Sequence, residues 1–274
     1  QDLASYKTAL MASPVVKILE QEMAAGRLSR IYGFRSPDQG LPLVPSKNML
    51  HGIADMGVYS PLVTSRYYQT IGLFGNINDS TLAFTPTPAF IRYHLPLLSF
   101  MDVSHIVAAV PLNQPDLTLL YADPSGIVFL YRNERSHAKA YFIRDAKLCA
   151  NWDDLKRDLM ASDFDPAKQL LIEKSEYPKF ELNNAKTSML PALGDAQISL
   201  ASTAGDVEIW SISAPANGFF VIPRTYYPGW HAWVDGKEMP VLKAYGLFQA
   251  VVIDTAGHHS VRFEFHPMAK VRRS

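Results

Sequence analysis

Short apolar stretches follow one another through the last third of the chain, separated by glycine, aspartate and proline. This spacing is typical of β-strands joined by turns in a sandwich or jelly roll. We therefore predict an antiparallel β-sandwich, jelly-roll-like, for this region. Its predicted strands are 196–201, 206–213, 218–226, 231–235, 239–245, 247–254 and 259–265.

The stretch 218–237 organises this pattern. Residues 219–222 form an uninterrupted apolar run, which suits a strand buried on both faces. Pro228 and Gly229 then interrupt the strand, because proline donates no backbone hydrogen bond and glycine tolerates positive φ. The following strand ends at Asp235-Gly236, a sequence typical of tight hairpin turns. The stretch thus predicts a strand, an aromatic corner and a second strand that ends in a turn.

The first half of the chain mixes helical and strand patterns. Apolar residues at helical spacing predict a helix from Pro14, with Gly26 as its stop. The sequence Asp123-Pro124-Ser125-Gly126 suits a type I turn, so we predict a hairpin of strands 117–121 and 127–131 around it. The other predicted elements are a strand at 30–35, a loop at 36–47, helices at 48–55, 60–73 and 89–101, a turn-rich segment at 75–88, and a strand at 106–110.

The pattern of predicted elements changes near residue 137, from mixed helices and strands to mostly strands, and this divides the chain into two parts. We predict a strand at 140–148, a helix capped by Asn151 and ending near Met160, and a strand at 170–173. The polar segment 174–195 is predicted to be a long loop. The predicted fold class is α+β, or mixed: an N-terminal mixed α/β lobe at 1–136 is followed by the C-terminal antiparallel β-sandwich at 137–268 and a basic tail at 269–274.

Composition narrows the class of protein. The chain has 274 residues, of which 48% are hydrophobic and 19% charged, so it can bury a core. Its formal net charge is zero, which argues against a nucleic-acid partner. The single cysteine, Cys149, excludes an internal disulfide framework and disfavours a thiolate metal cluster. No stretch approaches the roughly 20 apolar residues that cross a bilayer. Because the chain begins with Gln1, we expect it to be a processed piece of a longer protein.

Four large rings surround the predicted corner: Tyr226, Tyr227, Trp230 and Trp233. Such rings offer flat apolar faces with polar tips, and sugars stack on surfaces of this kind. The alternative, which we favour from the sequence, is that Trp230 and one tyrosine fill the sandwich core, with the phenol bonded to the backbone. Trp233 alternates with Val234 and is the ring expected on the outer face.

A second candidate site lies in the first half. Asp55 is followed by Arg66 and Tyr67 on the predicted helix 60–73, and an acid, a guanidinium and phenols together can bind a phosphate or a sugar. The favoured alternative is a structural Asp–Arg pair that joins two helices.

Other chemistry finds little support in the sequence. Neighbouring residues of a strand point to opposite faces, so His258 and His259 cannot both bind one metal ion. No carboxylate stands at ligand spacing from the histidines, which are His231, His258, His259 and His266. We therefore expect no metal and no cofactor. The carboxylates Asp163, Asp165 and Asp235 are better explained as turn and cap residues. Neither a glycine-rich phosphate loop nor a nucleophile elbow is present, so no catalytic residue is predicted.

The run TYYPGWHAWVDGKEMPVLKAYGLFQAVVID at 225–254, followed by GHHSVRFEFHP, resembles the closing segment of the YfhO-type family of bacterial membrane proteins. The resemblance extends, in order, to residues 48–55, 59–62, 66–67, 140–143 and 163–166. It implies a polytopic membrane protein grouped with GT-C-type glycosyltransferases, which move a sugar from a polyprenyl-phosphate carrier to a cell-envelope acceptor.

The resemblance also implies a place for this chain within such a protein. It would be an extracytoplasmic region, periplasmic or on the outer face of the cytoplasmic membrane, with the membrane spans removed and the basic tail leading toward one of them. In GT-C proteins the key acid usually lies in an early membrane-adjacent loop, so we expect this chain to be non-catalytic and to bind or position a cell-envelope glycan or lipid-linked sugar. The alternatives are a stand-alone carbohydrate-binding or adhesion module and, less favoured, a stand-alone hydrolase.

Overall fold

A computed structural model describes residues 13–34, 51–56, 65–73, 76–78, 83–85, 95–135, 139–161, 163–176 and 195–266. The chain divides into two compact units, Gln1–Ala138 and Lys139–Ser274. In the described part β-strands predominate and helices are few, so the fold is mixed α+β. No helix of the described residues is both long enough and apolar enough to cross a membrane. The predicted loop at 36–47, most of the loop at 174–195 and the tail at 269–274 lie outside the described residues.

The first unit is built on a four-stranded sheet with the strand order β1-β4-β6-β5. Helix α1 turns Val15, Val16 and Leu19 inward, and they share a core with Ile31 and neighbouring sheet residues. The elements of this sheet and its helix are α1 (Pro14–Ala24), β1 (Ile31–Phe34), β4 (His105–Ala108), β5 (Leu117–Ala122) and β6 (Phe129–Asn133). The predicted helix at Pro14, the strands near 30–35 and 106–110, and the hairpin are therefore confirmed.

The hairpin turn forms as its sequence predicts. The Gly126 N–H donates to the Asp123 carbonyl oxygen at 2.8 Å, and the Ser125 N–H donates to Asp123 Oδ2 at 3.0 Å. Gly126 has a φ of +71°, a conformation that glycine adopts without strain.

Four further segments of the first unit bear on the predictions: two agree with them, one contradicts them and one refines them. Helix α2 (Ser65–Gly72) and the helical residues 95–100 agree with the predicted helices where these are described. The predicted helix at 48–55 is wrong in its described part, because Gly52 turns at φ +68° and Asp55 forms a parallel bridge with Ile31. The turn-rich segment 75–88 contains a two-stranded antiparallel sheet of β2 (Asn76–Asn78) and β3 (Ala83–Thr85).

The second unit contains two sheets. The first has five strands in the order β10-β11-β17-β13-β14, and all its pairs are antiparallel. Its strands are β10 (Gln197–Ala204), β11 (Val207–Ala214), β13 (Trp230–Val234), β14 (Lys237–Met239) and β17 (Gly257–Phe265).

The second sheet has six strands in the order β7-β12-β16-β15-β9-β8. The β8–β9 pair at one edge is parallel, so the prediction of wholly antiparallel sheets is wrong there. Helix α3 (Trp152–Leu159) connects the two parallel strands, as a crossover requires, and Asn151 Oδ1 accepts the Asp154 N–H as the predicted cap. The strands are β7 (Tyr141–Ile143), β8 (Asp145–Cys149), β9 (Gln169–Glu173), β12 (Gly218–Thr225), β15 (Leu242–Ala244) and β16 (Phe248–Ile253).

The two sheets of the second unit share one buried core, which gives this unit a β-sandwich-like arrangement. Trp210, Phe220 and Phe263 are buried at its centre, with Trp210 and Phe220 ring centroids 5.7 Å apart. Trp210 and Phe263 come from the five-stranded sheet, whereas Phe220 comes from the six-stranded sheet. Alternate positions of β11, β12 and β17 therefore face this core, as the period of two predicts.

Two predicted strands prove to be pairs of strands. The stretch 140–148 breaks at Arg144, and its halves β7 and β8 lie at opposite edges of the six-stranded sheet. The stretch 239–245 breaks at Pro240, so that β14 belongs to the five-stranded sheet and β15 to the six-stranded sheet. Proline cannot donate to a strand ladder, which explains why the chain leaves one sheet at this point.

Candidate functional site

The aromatic corner joins β12 to β13 and is held against the end of β17. Gly229 has a φ of +109°, and its carbonyl oxygen accepts the His266 N–H at 2.8 Å. A Cβ atom at this position would stand 2.4 Å from the His266 carbonyl oxygen. Both the backbone conformation and the close approach therefore require glycine at the corner.

The structure separates the four rings of the corner. Trp230 faces the sandwich core, where its ring lies 5.2 Å from that of Phe265 and carries the Arg224 guanidinium over its face at 4.3 Å. Arg224 forms an ion pair with Glu208, which also accepts the Trp210 indole N–H at 3.1 Å. Trp230 thus belongs to the packing between the sheets, as the structural alternative predicted.

Trp233 lies on the opposite face of β13. Ala232 between the two tryptophans is fully buried in the core, so the alternation of the strand places His231 and Trp233 outward. In the sheet register Trp233 stands directly between Arg262 of β17 and Glu238 of β14. The Arg262 guanidinium lies over the indole at 5.0 Å, and the His231 ring stacks beside it at 6.1 Å.

We call these residues and their neighbours the outer-face cluster. Its members are His231, Trp233, Glu238, Arg262, Glu264 and His266. His231 Nδ1 lies 3.0 Å from Glu238 Oε1, and His266 Nε2 lies 2.8 Å from Glu264 Oε1. The His266 contact lowers the pKa of Glu264, and Arg262 adds to the effect. The cluster therefore combines flat rings with fixed donors and acceptors on one exposed sheet face.

The two tyrosines of the corner occupy other positions. Tyr227 is 46% exposed and packs on Phe265 at a ring distance of 6.2 Å. Tyr226 donates its backbone N–H to Leu247 and lies beneath the Lys243 ammonium, 5.1 Å from the ring centroid. Among the described tyrosines of the second unit, the buried one is Tyr245, whose phenol donates to the Pro166 carbonyl oxygen at 2.6 Å. Sequence reasoning had not singled it out.

The candidate site predicted around Asp55, Arg66 and Tyr67 in the first unit is partly assembled. The Tyr67 hydroxyl donates to the Met56 carbonyl at 2.6 Å, which fixes α2 beside the segment that carries Asp55. Burial raises the pKa of Tyr67, and the nearby Asp55 carboxylate acts in the same direction. Arg66 accepts the Thr70 hydroxyl on its backbone carbonyl at 2.8 Å. Asp55 lies on a β-bridge with Ile31 rather than on a helix, so an Asp55–Arg66 pair would join this bridge, and not a second helix, to α2.

A buried charged network in the first unit was not expected from the sequence. Glu22, on the inner face of α1, accepts two hydrogen bonds from Arg27 at 2.6 and 3.0 Å. His105 Nε2 lies 3.2 Å from Glu22 Oε2, and Arg132 Nη1 lies 3.6 Å away. Hydrogen bonding from Arg27, then from His105, lowers the pKa of Glu22 to about 2 despite its burial. Burial lowers the pKa of His105.

This Glu22 network includes a serine, yet it is structural. Ser104 Oγ lies 3.0 Å from His105 Nδ1, so serine, histidine and glutamate form a relay in outline. However, Ser104 is only 4% exposed, and its oxygen accepts the backbone N–H of Ser29 at 2.9 Å. A nucleophile must reach its substrate, and this hydroxyl is enclosed. The sequence held one sign of this network. Glu22 follows Leu19 by three positions, so it lies on the same buried face of the helix as Val15 and Leu19.

Asp235, His259 and Asp165 form local contacts in turns. Asp235 accepts from Ser260 N–H at 2.8 Å and lies 2.7 Å from His259 Nδ1, so it anchors its hairpin turn. Asp165 accepts from the Ala167 N–H at 3.0 Å in its own turn. Among the described residues, no group of three or more histidine, cysteine, aspartate or glutamate side chains is placed to hold a metal ion.

Comparison with known proteins adds no relative. The chain matches no family model, no curated protein and no solved structure.

Proposed function

We propose that this chain is a non-catalytic saccharide-binding region, built on a jelly-roll-like β-sandwich, that binds or positions a cell-envelope glycan or a lipid-linked sugar. The observation that carries the proposal is the outward placement of Trp233 between Arg262 and Glu238. The proposal applies to the outer-face cluster rather than to the whole aromatic corner, because Trp230 packs in the core.

The rings of the outer-face cluster suit the apolar face of a pyranose. Trp233 and His231 are neighbouring outward positions of β13, with ring centroids 6.1 Å apart and ring planes 24° apart, so both offer aromatic surface on the outer face. C–H groups of a sugar ring pack on such surfaces, while its hydroxyls extend past the edges. Neighbouring side chains of the same sheet hold both rings, and a site on a sheet is more rigid than one on a loop.

Charged groups at the margin of the rings suit sugar hydroxyls. Glu238 on β14 and Glu264 on β17 are acceptors, and Arg262 is a donor. The Glu238 side chain is 63% exposed and that of Arg262 is 46% exposed, so both can reach a bound ligand. Hydrogen bonds that involve charged groups are stronger than neutral ones, which would orient a ligand held mainly by stacking.

The cellular setting is proposed from the resemblance. We place the chain outside the cytoplasm, as part of a YfhO-like membrane protein of the GT-C glycosyltransferase type. The outer-face cluster would then hold the acceptor, or the sugar carrier, near the enzyme's membrane-embedded catalytic part. The full gene sequence tests this setting directly: many hydrophobic spans beside the chain support it, and a parent without spans supports an adhesion or carbohydrate-binding module.

Replacing Trp233 with alanine should weaken saccharide binding strongly. Aromatic stacking contributes about 0.5–1.5 kcal/mol beyond area burial, and the substitution also removes the ring on which Arg262 and His231 are arranged. Binding is measured by calorimetry against cell-envelope glycans, with tryptophan fluorescence as a second readout. We expect the affinity to fall at least about tenfold, which corresponds to about 1.4 kcal/mol.

Tyr227→Ala is the matched control, since Tyr227 is an exposed ring of the same corner but lies outside the outer-face cluster. It should bind as the native chain does. A native chain that binds no glycan would refute the proposal, and equal losses in both variants would move the site to the corner.

The chain alone should show no glycosyl transfer. No catalytic constellation is assembled among the described residues, and the one serine–histidine–glutamate relay is buried. The assay offers a polyprenyl-linked sugar and an envelope acceptor to the purified chain and follows the product by mass spectrometry. Turnover above the background of heat-denatured protein would contradict this expectation.

A further inference from the structure

The five-stranded sheet ends on one side in a long exposed strand, β10. In the described structure β10 pairs only with β11, although it is eight residues long. Seven of its residues are exposed and Ile198 is half-buried. The outward N–H and C=O groups of an edge strand are a template for another strand.

The opposite edge of the same sheet is protected, whereas β10 is not. Strand β14 has three residues, of which Lys237 and Glu238 are charged, and Pro240 follows it. These are the usual features that prevent edge-to-edge pairing. Strand β10 has the sequence QISLASTA, without a charge or a proline. Its one protective feature is a bulge between Leu200 and Ser202.

An apolar side chain on β10 also lacks cover. Leu200 pairs with Trp210, which faces the sandwich core, yet Leu200 itself is 43% exposed. Ile198 precedes it on the same face and packs against the core from its margin. An additional strand beside β10 would cover Leu200 and extend the core by one row. Burial of an exposed leucine is favourable because it removes apolar surface from water.

We propose that two copies of this chain associate through β10, paired antiparallel about a two-fold axis near Leu200, to form one continuous ten-stranded sheet. A second copy fits this edge because it brings what the edge requires: an uncharged strand with apolar residues at alternate positions. With no charged side chain within either strand, the two edges approach without like-charge repulsion. A two-fold contact uses the same surface twice, so the association closes at a dimer.

Sedimentation velocity of the full chain over a concentration series tests this. A monomer–dimer equilibrium is expected, and hydrogen exchange should show the β10 amides gaining protection as the dimer forms. Leu200→Lys places two ammonium groups close to the axis and should raise the dimer dissociation constant at least about tenfold, because like charges repel across an interface.

Two further variants make the outcome decisive. Thr203→Lys, an exposed position on the same edge, should also weaken the dimer. Leu119→Lys, on the exposed edge strand β5 of the first unit, should leave it unchanged. Tryptophan fluorescence verifies folding of the second unit, which contains all four tryptophans. A chain that stays monomeric, larger assemblies, or an equal effect of Leu119→Lys would each overturn the proposal.

Discussion

Replacing Glu22 with glutamine should lower the free energy of unfolding of the first unit by up to about 3 kcal/mol at pH 7. The folded state lowers the pKa of this carboxyl from 4.5 to about 2. At about 1.4 kcal/mol per pH unit, that difference corresponds to about 3 kcal/mol of stabilisation of the charged form. The Glu22 side chain is only 8% exposed, but that of Arg27 is 52% exposed, so solvent screens part of their ion pair and about 3 kcal/mol is the upper value.

The pH dependence of this effect has a definite sign. Below pH 4.5 the unfolded chain takes up a proton at Glu22 while the folded chain does not, so the stabilisation is complete above pH 4.5 and is lost as the pH falls toward 2. The Glu22→Gln variant should not show this loss of stability below pH 4.5. In the native chain His105 adds a second loss, because its pKa lies below 6.5 in the folded state and its stabilisation declines as the pH falls below that value.

Glu20→Gln is the matched control for this experiment. Glu20 lies on the same helix and contacts His51 Nδ1 at 3.1 Å, but its side chain is 44% exposed. Exposed pairs contribute about 0–1 kcal/mol, so the control should stay close to the native chain. Because the first unit contains no tryptophan, its unfolding is followed by hydrogen exchange of residues 13–34 and 95–135. Equal stabilities of the two variants would show that the charge on Glu22 does not stabilise the first unit. An unchanged loss of stability below pH 4.5 in Glu22→Gln would show the same.

The second large effect is expected at the aromatic corner, where Gly229→Ala should destabilise the second unit by about 3 kcal/mol. Positive φ costs an L-residue about 1–2 kcal/mol, and a forced contact in a packed site costs about 1–3 kcal/mol more. The added Cβ would meet the His266 carbonyl oxygen at 2.4 Å, and this contact is with backbone that β17 holds in place. The corner cannot move without breaking the His266 N–H bond to Gly229.

Gly236→Ala separates the cost of positive φ from the cost of the close contact of the added Cβ atom. Gly236 also has positive φ, +80°, but an added Cβ would find nothing within 4 Å. This variant should lose only the backbone contribution, about 1–2 kcal/mol. Urea unfolding followed by tryptophan fluorescence reports on both, since every tryptophan lies in the second unit. If the two variants were equally stable, the close approach at the corner would have no energetic weight. Gly229→Ala should also weaken saccharide binding, because it displaces His266, a member of the outer-face cluster.

Local patterns were reliable where one short stretch contained all the necessary interactions. The hairpin at Asp123–Gly126 and the helix capped by Asn151 form through contacts within a few residues, so their sequences were sufficient. The alternation of β13 likewise placed Trp233 outward and Trp230 inward. The strand 140–148 was mispredicted because its apolar pattern does not reveal that its two halves pair with different neighbours.

The candidate sites show the same division. The sequence alone determined the α+β class, the strand-rich second half, the turn chemistry and the face of β13 on which Trp233 lies, because these depend on local backbone preferences and on a period of two. Only the tertiary structure decided that Arg262 and Glu238 flank Trp233, that Glu22 meets His105 across 83 positions of chain, and that Tyr245 rather than a corner tyrosine is buried. Strand register and helix docking create those contacts, and both depend on how distant segments bury their apolar surface together.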